Sequence, residues 1–269
     1  MNYFSRGKAS GEIRVFGING KKVFKFPRPC LGYTVYMSVR KYSFVPGEFY
    51  HIYNRGNDKR VIYKDPPDYE RFMELLFLSN SRERITVKDI KNLHTSVYDF
   101  EVENRLVSIG AYCLMPNHFH ILLTPLVENG VQLFLQKLST GYVMFFNHRY
   151  ERTGSLFEGK FKSAYADSDE YLKYLFSYIH LNPIKRIQAD WKEVGIKNIA
   201  VAKEYLSSYP FSSYTDFSRG LASGERQEKK ILDLSAFPEY FLSVQAFETE
   251  IFEWLSFPLI SPEARPREK

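Results

Sequence analysis

The chain is expected to fold as a mixed α and β domain built around a central antiparallel hairpin, and three observations predict this. Strand-like and helix-like segments follow one another as strand, helix, strand, strand, helix, strand, helix between Gly47 and Asn182. The second and third strands are separated only by Pro116-Asn117, a turn pair, so they form a hairpin. The length of 269 residues, with 44% hydrophobic and 25% charged side chains, is enough to bury the core of one large soluble domain, or of one domain with extensions.

Residues 1–36 read as a basic extension with short strand-like pieces, Glu12 to Phe16 and Lys22 to Phe26, around a Gly-Ile-Asn-Gly turn. Met37 then opens a segment that reads like a natural start, so a boundary is expected there. From Glu48 the aromatic and β-branched run through Asn54 is a first strand, stopped by Arg55-Gly56-Asn57, with His51 taken as structural. Pro66-Pro67-Asp68 opens a helix to about Ser79, with Tyr69, Phe72, Leu75 and Leu76 at helical spacing. Residues 80–104 are polar and mixed and read as an insertion or a flexible excursion outside the core.

Val107 to Met115 is the second strand, and Val131 to Tyr150 is a long amphipathic helix with Leu133, Phe134, Leu138, Tyr142, Phe145 and Phe146 along one stripe. Leu156 to Tyr165 reads as a further strand with Lys160 and Lys162 on one face, either holding a phosphate backbone or protecting a solvated edge. Asp167-Ser168-Asp169 supplies an N-cap for a helix that runs to about Asn182 and is ended by Pro183. The core is thus expected over 37–190, with 191–269 a partly helical extension that includes Val244 to Phe257.

The chemistry gathers in two places. In His118-Phe119-His120, period-two alternation puts both imidazoles on one face of a strand and Phe119 on the other, which makes half a metal site. A single histidine in an apolar strand is ordinarily a packed residue, so the deciding segment is 169–183. There Tyr171 and Tyr174 read as core, while Tyr178 and Asn182, four apart, share a helix face. His180 lies about 200° round the helix from Tyr178 and is left out of the site. A phenol is a weak nucleophile near neutral pH unless a metal or base assists it. A hard divalent cation can take His118, His120 and the amide oxygen of Asn182 and keep positions open for a phosphate oxygen.

His118-Phe119-His120, the basic segment around Phe157 to Lys162 and Tyr178-Ile179-His180-Leu181-Asn182-Pro183 together resemble the IS200-like transposases of the HUH endonuclease class, most closely the REP-associated tyrosine transposases. Tyr50-His51-Ile52-Tyr53-Asn54-Arg55-Gly56 and Met115-Pro116-Asn117 stand in the same order and spacing as in that family, and the resemblance spans about residues 42 to 190. It implies a ferredoxin-like or RRM-like antiparallel sheet with helices packed on it. The implied activity is cleavage and rejoining of single-stranded DNA at hairpin-forming element ends through a 5′-phosphotyrosine on Tyr178. His118, His120 and Asn182 would hold Mg²⁺ or Mn²⁺, and Arg55, Lys160 and Lys162 would contact DNA. Asn182 departs from members that carry a glutamine there. Ser207 to Tyr214 resembles a further element of the same group, with no chemistry attached to it.

Composition bounds this reading. The net charge of +6 sits entirely in residues 1–36, where Arg6, Lys8, Arg14, Lys21, Lys22, Lys25 and Arg28 face only Glu12, so any phosphate-binding surface elsewhere is local. Two cysteines exclude a disulfide framework and a cysteine-based zinc site, and no apolar run approaches a membrane span, which points to a cytoplasmic protein; the sequence leaves monomer and homodimer open. A non-cleaving single-stranded nucleic-acid binder and a metal-dependent hydrolase are the competing readings, and replacing Tyr178 by Phe separates them.

Overall fold

The computed structural model describes residues 14–18, 21–25, 43–220 and 226–253. Its strands and α-helices are β1 Arg14–Ile18, β2 Lys21–Lys25, β3 Tyr50–Arg55, α1 Pro66–Leu78, α2 Val87–Leu93, β4 Val107–Met115, β5 His118–Pro125, α3 Gly130–Arg149, β6 Lys162–Tyr165, α4 Asp169–Leu181, α5 Trp191–Val194, α6 Ile199–Ser208, α7 Tyr214–Ser218 and α8 Val244–Glu253. The chain divides into two compact units, 1–43 and 44–269. In the first, β1 and β2 pair as an antiparallel hairpin. Met37 and the stretch beyond Glu253 lie outside the described residues.

In the second unit four strands form one antiparallel sheet in the order β4-β5-β3-β6. With α1 between β3 and β4, and α3 between β5 and β6, this is the βαββαβ connectivity of a ferredoxin-like domain, as expected. Period-two alternation divides the strand residues between two cores. Tyr50, Ile52, Phe119, Ile121 and Leu123 face α1 and α3, where Phe72 packs 5.1 Å from Phe119 and 5.0 Å from Tyr142, ring centre to ring centre. Ala111, Cys113, Met115 and Leu122 face α4 and the elements after it.

The β4–β5 turn is tied to the end of β3. Pro116 O accepts from Ile62 N (2.8 Å) and Tyr63 N (3.1 Å), and Asn117 O accepts from Gly56 N (2.9 Å). These bonds satisfy turn carbonyls that the hairpin alone would leave open.

The stretch 80–104 corrects the expectation of an excursion outside the core. It holds α2, whose N-cap Thr86 accepts from Asp89 N, and a capping box on Ser96. Val87, Ile90, Val97 and Tyr98 are all buried against α1, so four apolar residues anchor a segment that is polar on average.

The second correction concerns the last strand. β6 begins at Lys162, not Leu156; Leu156 and Phe157 are buried, Phe157 only bridges Gly56, and Gly159 takes a left-handed φ of 66°. A backbone in that region cannot continue a strand, so the chain bends before pairing resumes.

Residues 191–253 belong to the second unit. Trp191, Leu206, Tyr214, Phe217, Phe237, Phe247 and Ile251 share the core of α4. Within them, Phe211 to Ser213 lies along the free edge of β4: Leu114 N donates to Phe211 O (2.9 Å) and Ser213 N to Tyr112 O (3.0 Å). This gives Ser207 to Tyr214 a structural role, closing a sheet edge that would otherwise stand open. The Arg226 guanidinium clamps the same segment, donating to Pro210 O (2.7 Å) and to Asp216 (3.2 Å).

Candidate active site on the helix α4 face of the sheet

The strand register fixes which side chains share the α4 face. One row across the sheet is Met115, His118 and Arg55; the next is Cys113, His120, Tyr53 and Lys162; the third is Ala111, Leu122, His51 and Ala164. The sequence reading placed His118 and His120 side by side, and their rings are 5.0 Å apart at an interplanar angle of 87°. It did not bring in His51 and Tyr53, which reach the same face from β3 with the same two-residue spacing.

Helix α4 lays Tyr178 over this face. Ser168 Oγ accepts from Tyr171 N (3.2 Å) and starts the helix, and Asp169 and Glu170 favour its positive N-terminal end. The Tyr178 ring stands edge-on to His120 (5.6 Å, 88°) and to His51 (5.9 Å, 73°), with Tyr174 next to it at 5.8 Å. Tyr171 and Tyr174 are buried and mutually stacked, in keeping with a packing role. Tyr178 is 2% exposed and His120 3%, so His118, half-buried, is the most open of the three.

The hydrogen bonds define the imidazole nitrogens. Asn117 donates from Nδ2 to Lys59 O (3.2 Å), so its Oδ1, 2.6 Å from His118 Nδ1, is an acceptor. His118 therefore carries its proton on Nδ1 and a lone pair on Nε2. His120 Nδ1 is likewise engaged, 2.8 Å from His51 Nε2. Two imidazoles side by side on one face, each with its Nδ1 held by a neighbour, fit part of the donor set of a metal site. Asn182 is buried one turn beyond Tyr178 and donates from Nδ2 to Tyr178 O (2.7 Å), so Oδ1 is the atom it can offer a cation. Among the described residues no three His, Cys, Asp or Glu side chains are grouped so as to hold a metal ion.

The remaining expected residues are spread along one side. Arg55 sits beside His118 but is engaged by Glu158 through both Nε and Nη2, the latter at 3.0 Å. That pairing raises the Arg55 pKa and lowers that of Glu158. Both line a pocket of about 300 Å³ with Asn57, Asp58 and Lys59. Lys162 is exposed in the His120 row, whereas Lys160 is exposed in the bend before β6 and shares no strand face with it.

His180 belongs elsewhere. It is fully buried among Phe176, Phe217 and Phe247, its Nε2 lies 2.8 Å from Ser213 Oγ, and burial pushes its pKa down to about 3, so it is a neutral packing residue.

The segment carrying these groups is transposase-like in sequence. Residues 69–182, which include both histidines of β5, Tyr178 and Asn182, match the model of the family described as "Transposase IS200 like", as the motifs had indicated. Among solved structures, the chain is similar to a REP-associated tyrosine transposase bound to a REP hairpin, with 15% sequence identity, a TM-score of 0.43, and coverage of 76% of this chain and 99% of that one. None of the curated proteins matches. Among the described residues no helix is long and apolar enough to cross a membrane.

Proposed function

We propose that this protein is a single-tyrosine transposase that cleaves and rejoins single-stranded DNA, with Tyr178 as nucleophile and hairpin-forming DNA as substrate. The observation that carries the reading is the Tyr178 ring standing edge-on at 5.6 Å to His120, on the face it shares with His118. The family match over residues 69–182 supports the same reading.

In the reaction, Tyr178 Oη forms a bond to the scissile phosphorus. The P–O3′ bond breaks, the 3′ oxygen leaves as a hydroxyl and the net proton comes from the phenol. One phosphodiester is exchanged for another, so the step reverses onto a different 3′ end without a nucleotide cofactor. His118, His120 and Asn182 would hold Mg²⁺ or Mn²⁺, which supplies charge neutralisation of the phosphate. The protein's own part would be to present both imidazoles on one sheet face and to keep the phenol ring against His120. Lys162, Lys160 and Arg55 would track the DNA backbone.

Because Tyr178 is 2% exposed, the reading requires DNA engagement to uncover the phenol. That burial is also the observation that favours the second reading, a binder of single-stranded nucleic acid that does not cleave. Incubation with labelled single-stranded hairpin DNA and Mg²⁺ or Mn²⁺, followed by denaturing electrophoresis, separates them. A metal-dependent protein–DNA adduct that disappears in Tyr178→Phe is the expected result. Binding without cleavage would establish the second reading, and cleavage without an adduct would point to metal-activated water.

A further inference from the structure

Beside the histidines, the end of β3 and the bend before β6 are built against each other. Asn57 N donates to Leu156 O (3.0 Å), Glu158 N donates to Arg55 O (2.8 Å), and Gly56 bridges Phe157. Across this joint the Arg55 guanidinium gives Nε to one carboxylate oxygen of Glu158 and Nη2 to the other, the latter at 3.0 Å. Arg55 stands directly opposite His118 in the strand register. The loop that follows it turns through Asp58 and Lys59, and Lys59 O accepts from the same Asn117 amide that meets His118 Nδ1 at 2.6 Å. The wall of the 300 Å³ pocket is therefore set against the histidine by hydrogen bonds.

Glu158 stands among cations. Arg55, then Lys162 and Lys59, draw its pKa down, so more positive charge surrounds the carboxylate than it neutralises. Asp58, on the same pocket, pairs instead with Arg60 at 3.7 Å. The Arg55 and Glu158 side chains are 45% and 42% exposed, so solvent and a ligand both reach the pair.

We propose that Glu158 holds the place of a DNA phosphate: without DNA it fills a backbone-phosphate subsite formed by Arg55 and Lys59 beside His118, and a phosphate of the bound strand displaces it. The proposal rests on the single-stranded DNA reading above and adds to it one defined contact and its competitor. A guanidinium receives a carboxylate and a phosphate through the same pair of parallel hydrogen bonds, so one anion can replace the other without moving Arg55. The exchange loses one ion pair and gains another, and Glu158 turns out to the solvent it already touches. An exposed pair of this kind is weak enough to be opened by a polyanion.

Fluorescence anisotropy of labelled single-stranded hairpin DNA in EDTA reads binding with neither metal nor cleavage in the measurement. Glu158→Gln keeps the side chain's size and removes its charge. Asp58→Asn makes the same change of charge at the same pocket away from Arg55, and asparagine tolerates the left-handed backbone there. Arg55→Gln removes the seat itself. Exposed pairs contribute little to folding, so all three variants should fold, and their thermal midpoints check this.

Glu158→Gln should tighten binding about 2- to 5-fold, the worth of one exposed ion pair, and Asp58→Asn should tighten it less. The gain from Glu158→Gln should largely vanish when Arg55→Gln is also present. Arg55→Gln alone should weaken binding and lower the slope of log K against log salt by about 0.7, one phosphate contact. The proposal is overturned by unchanged or weaker binding in Glu158→Gln, by equal gains from Glu158→Gln and Asp58→Asn, or by a gain that persists in full without Arg55. An unchanged salt slope in Arg55→Gln overturns it whether or not Glu158→Gln folds. If the wild type does not bind the hairpin DNA at all, the DNA reading itself fails, and the proposal with it.

Discussion

The two faces of the β4-β5-β3-β6 sheet are built from alternate residues of the same strands, yet they solve different problems. The face toward α1 and α3 is apolar, with Ile52, Phe119 and Ile121 locked against Phe72 and Tyr142. The face toward α4 carries His51, Tyr53, His118 and His120 on β3 and β5 and is apolar at Leu122 and toward β4, where Ala111, Cys113 and Met115 lie. In β5 the division falls within three consecutive residues, because Phe119 anchors the strand while its neighbours are presented to the other side. Stability and chemistry are therefore expected to respond to different substitutions, and the comparison can be broken by showing that they do not.

The largest expected effect is on chemistry alone. Tyr178→Phe keeps the ring that packs on His51, His120 and Tyr174 and removes only the hydroxyl, so stability should fall by no more than about 1–2 kcal/mol while the covalent adduct is abolished. A marked drop in thermal stability would show that the two roles are not separable at this position. On the opposite face the converse holds. Phe72→Ala removes a fully buried ring between Phe119, Tyr63 and Tyr142 and should cost about 3–5 kcal/mol in denaturant unfolding, with adduct yield per folded molecule retained.

The cover over the α4 face can be probed through Gly110, at the irregularity in β4. A Cβ there would stand 2.7 Å from the Phe237 ring and 3.1 Å from Phe176. Gly110→Ala should cost about 1–3 kcal/mol by overpacking, and a neutral result would mean that residues around Phe237 yield easily. The same cover gives a pH signature. Burial raises the Asp216 carboxyl to about 6 from an ordinary 3.8, against the opposing pull of Arg226 at 3.2 Å. A folded pKa above the unfolded one means that the folded state holds more protons between about pH 4 and 6. Stability from this group is complete below about pH 4 and is lost as pH rises through 6, by no more than about 3 kcal/mol. Chemical denaturation of wild type and Asp216→Asn across that window should show this slope only in the wild type.

Much of this arrangement was legible because it depends on local pattern. The hairpin at Pro116-Asn117, the shared face of His118 and His120, and the four-residue step from Tyr178 to Asn182 follow from turn chemistry and the periods of strand and helix. What escaped depends on pairing between distant segments. His51 looked structural because nothing near it in sequence reveals that β3 pairs with β5 so as to bring it to His120. Its one signal was the alternation of His51 with Tyr53, which mirrors that of His118 with His120. Residues 80–104 were misread because average polarity hides four well-spaced anchors, and Leu156 to Tyr165 because an apolar run does not reveal a left-handed glycine at 159.

The smallest expected effect tests whether the sheet rows organise DNA contact. Lys162 lies opposite Tyr53, which lies opposite His120, so their backbones are two strand spacings, roughly 10 Å, apart on one face. Lys160 is exposed too, but in the bend at Gly159, where no strand pairing fixes its direction. If the row guides the strand, Lys162→Ala should weaken hairpin binding a few-fold across sequences and reduce the slope of log K against log salt by about 0.7, the share of one phosphate contact on single-stranded DNA. Lys160→Ala should change the slope less. Equal losses from both lysines would mean that the basic segment acts as a diffuse field. In that case the ordered rows of the α4 face would serve the histidines and Tyr178 alone.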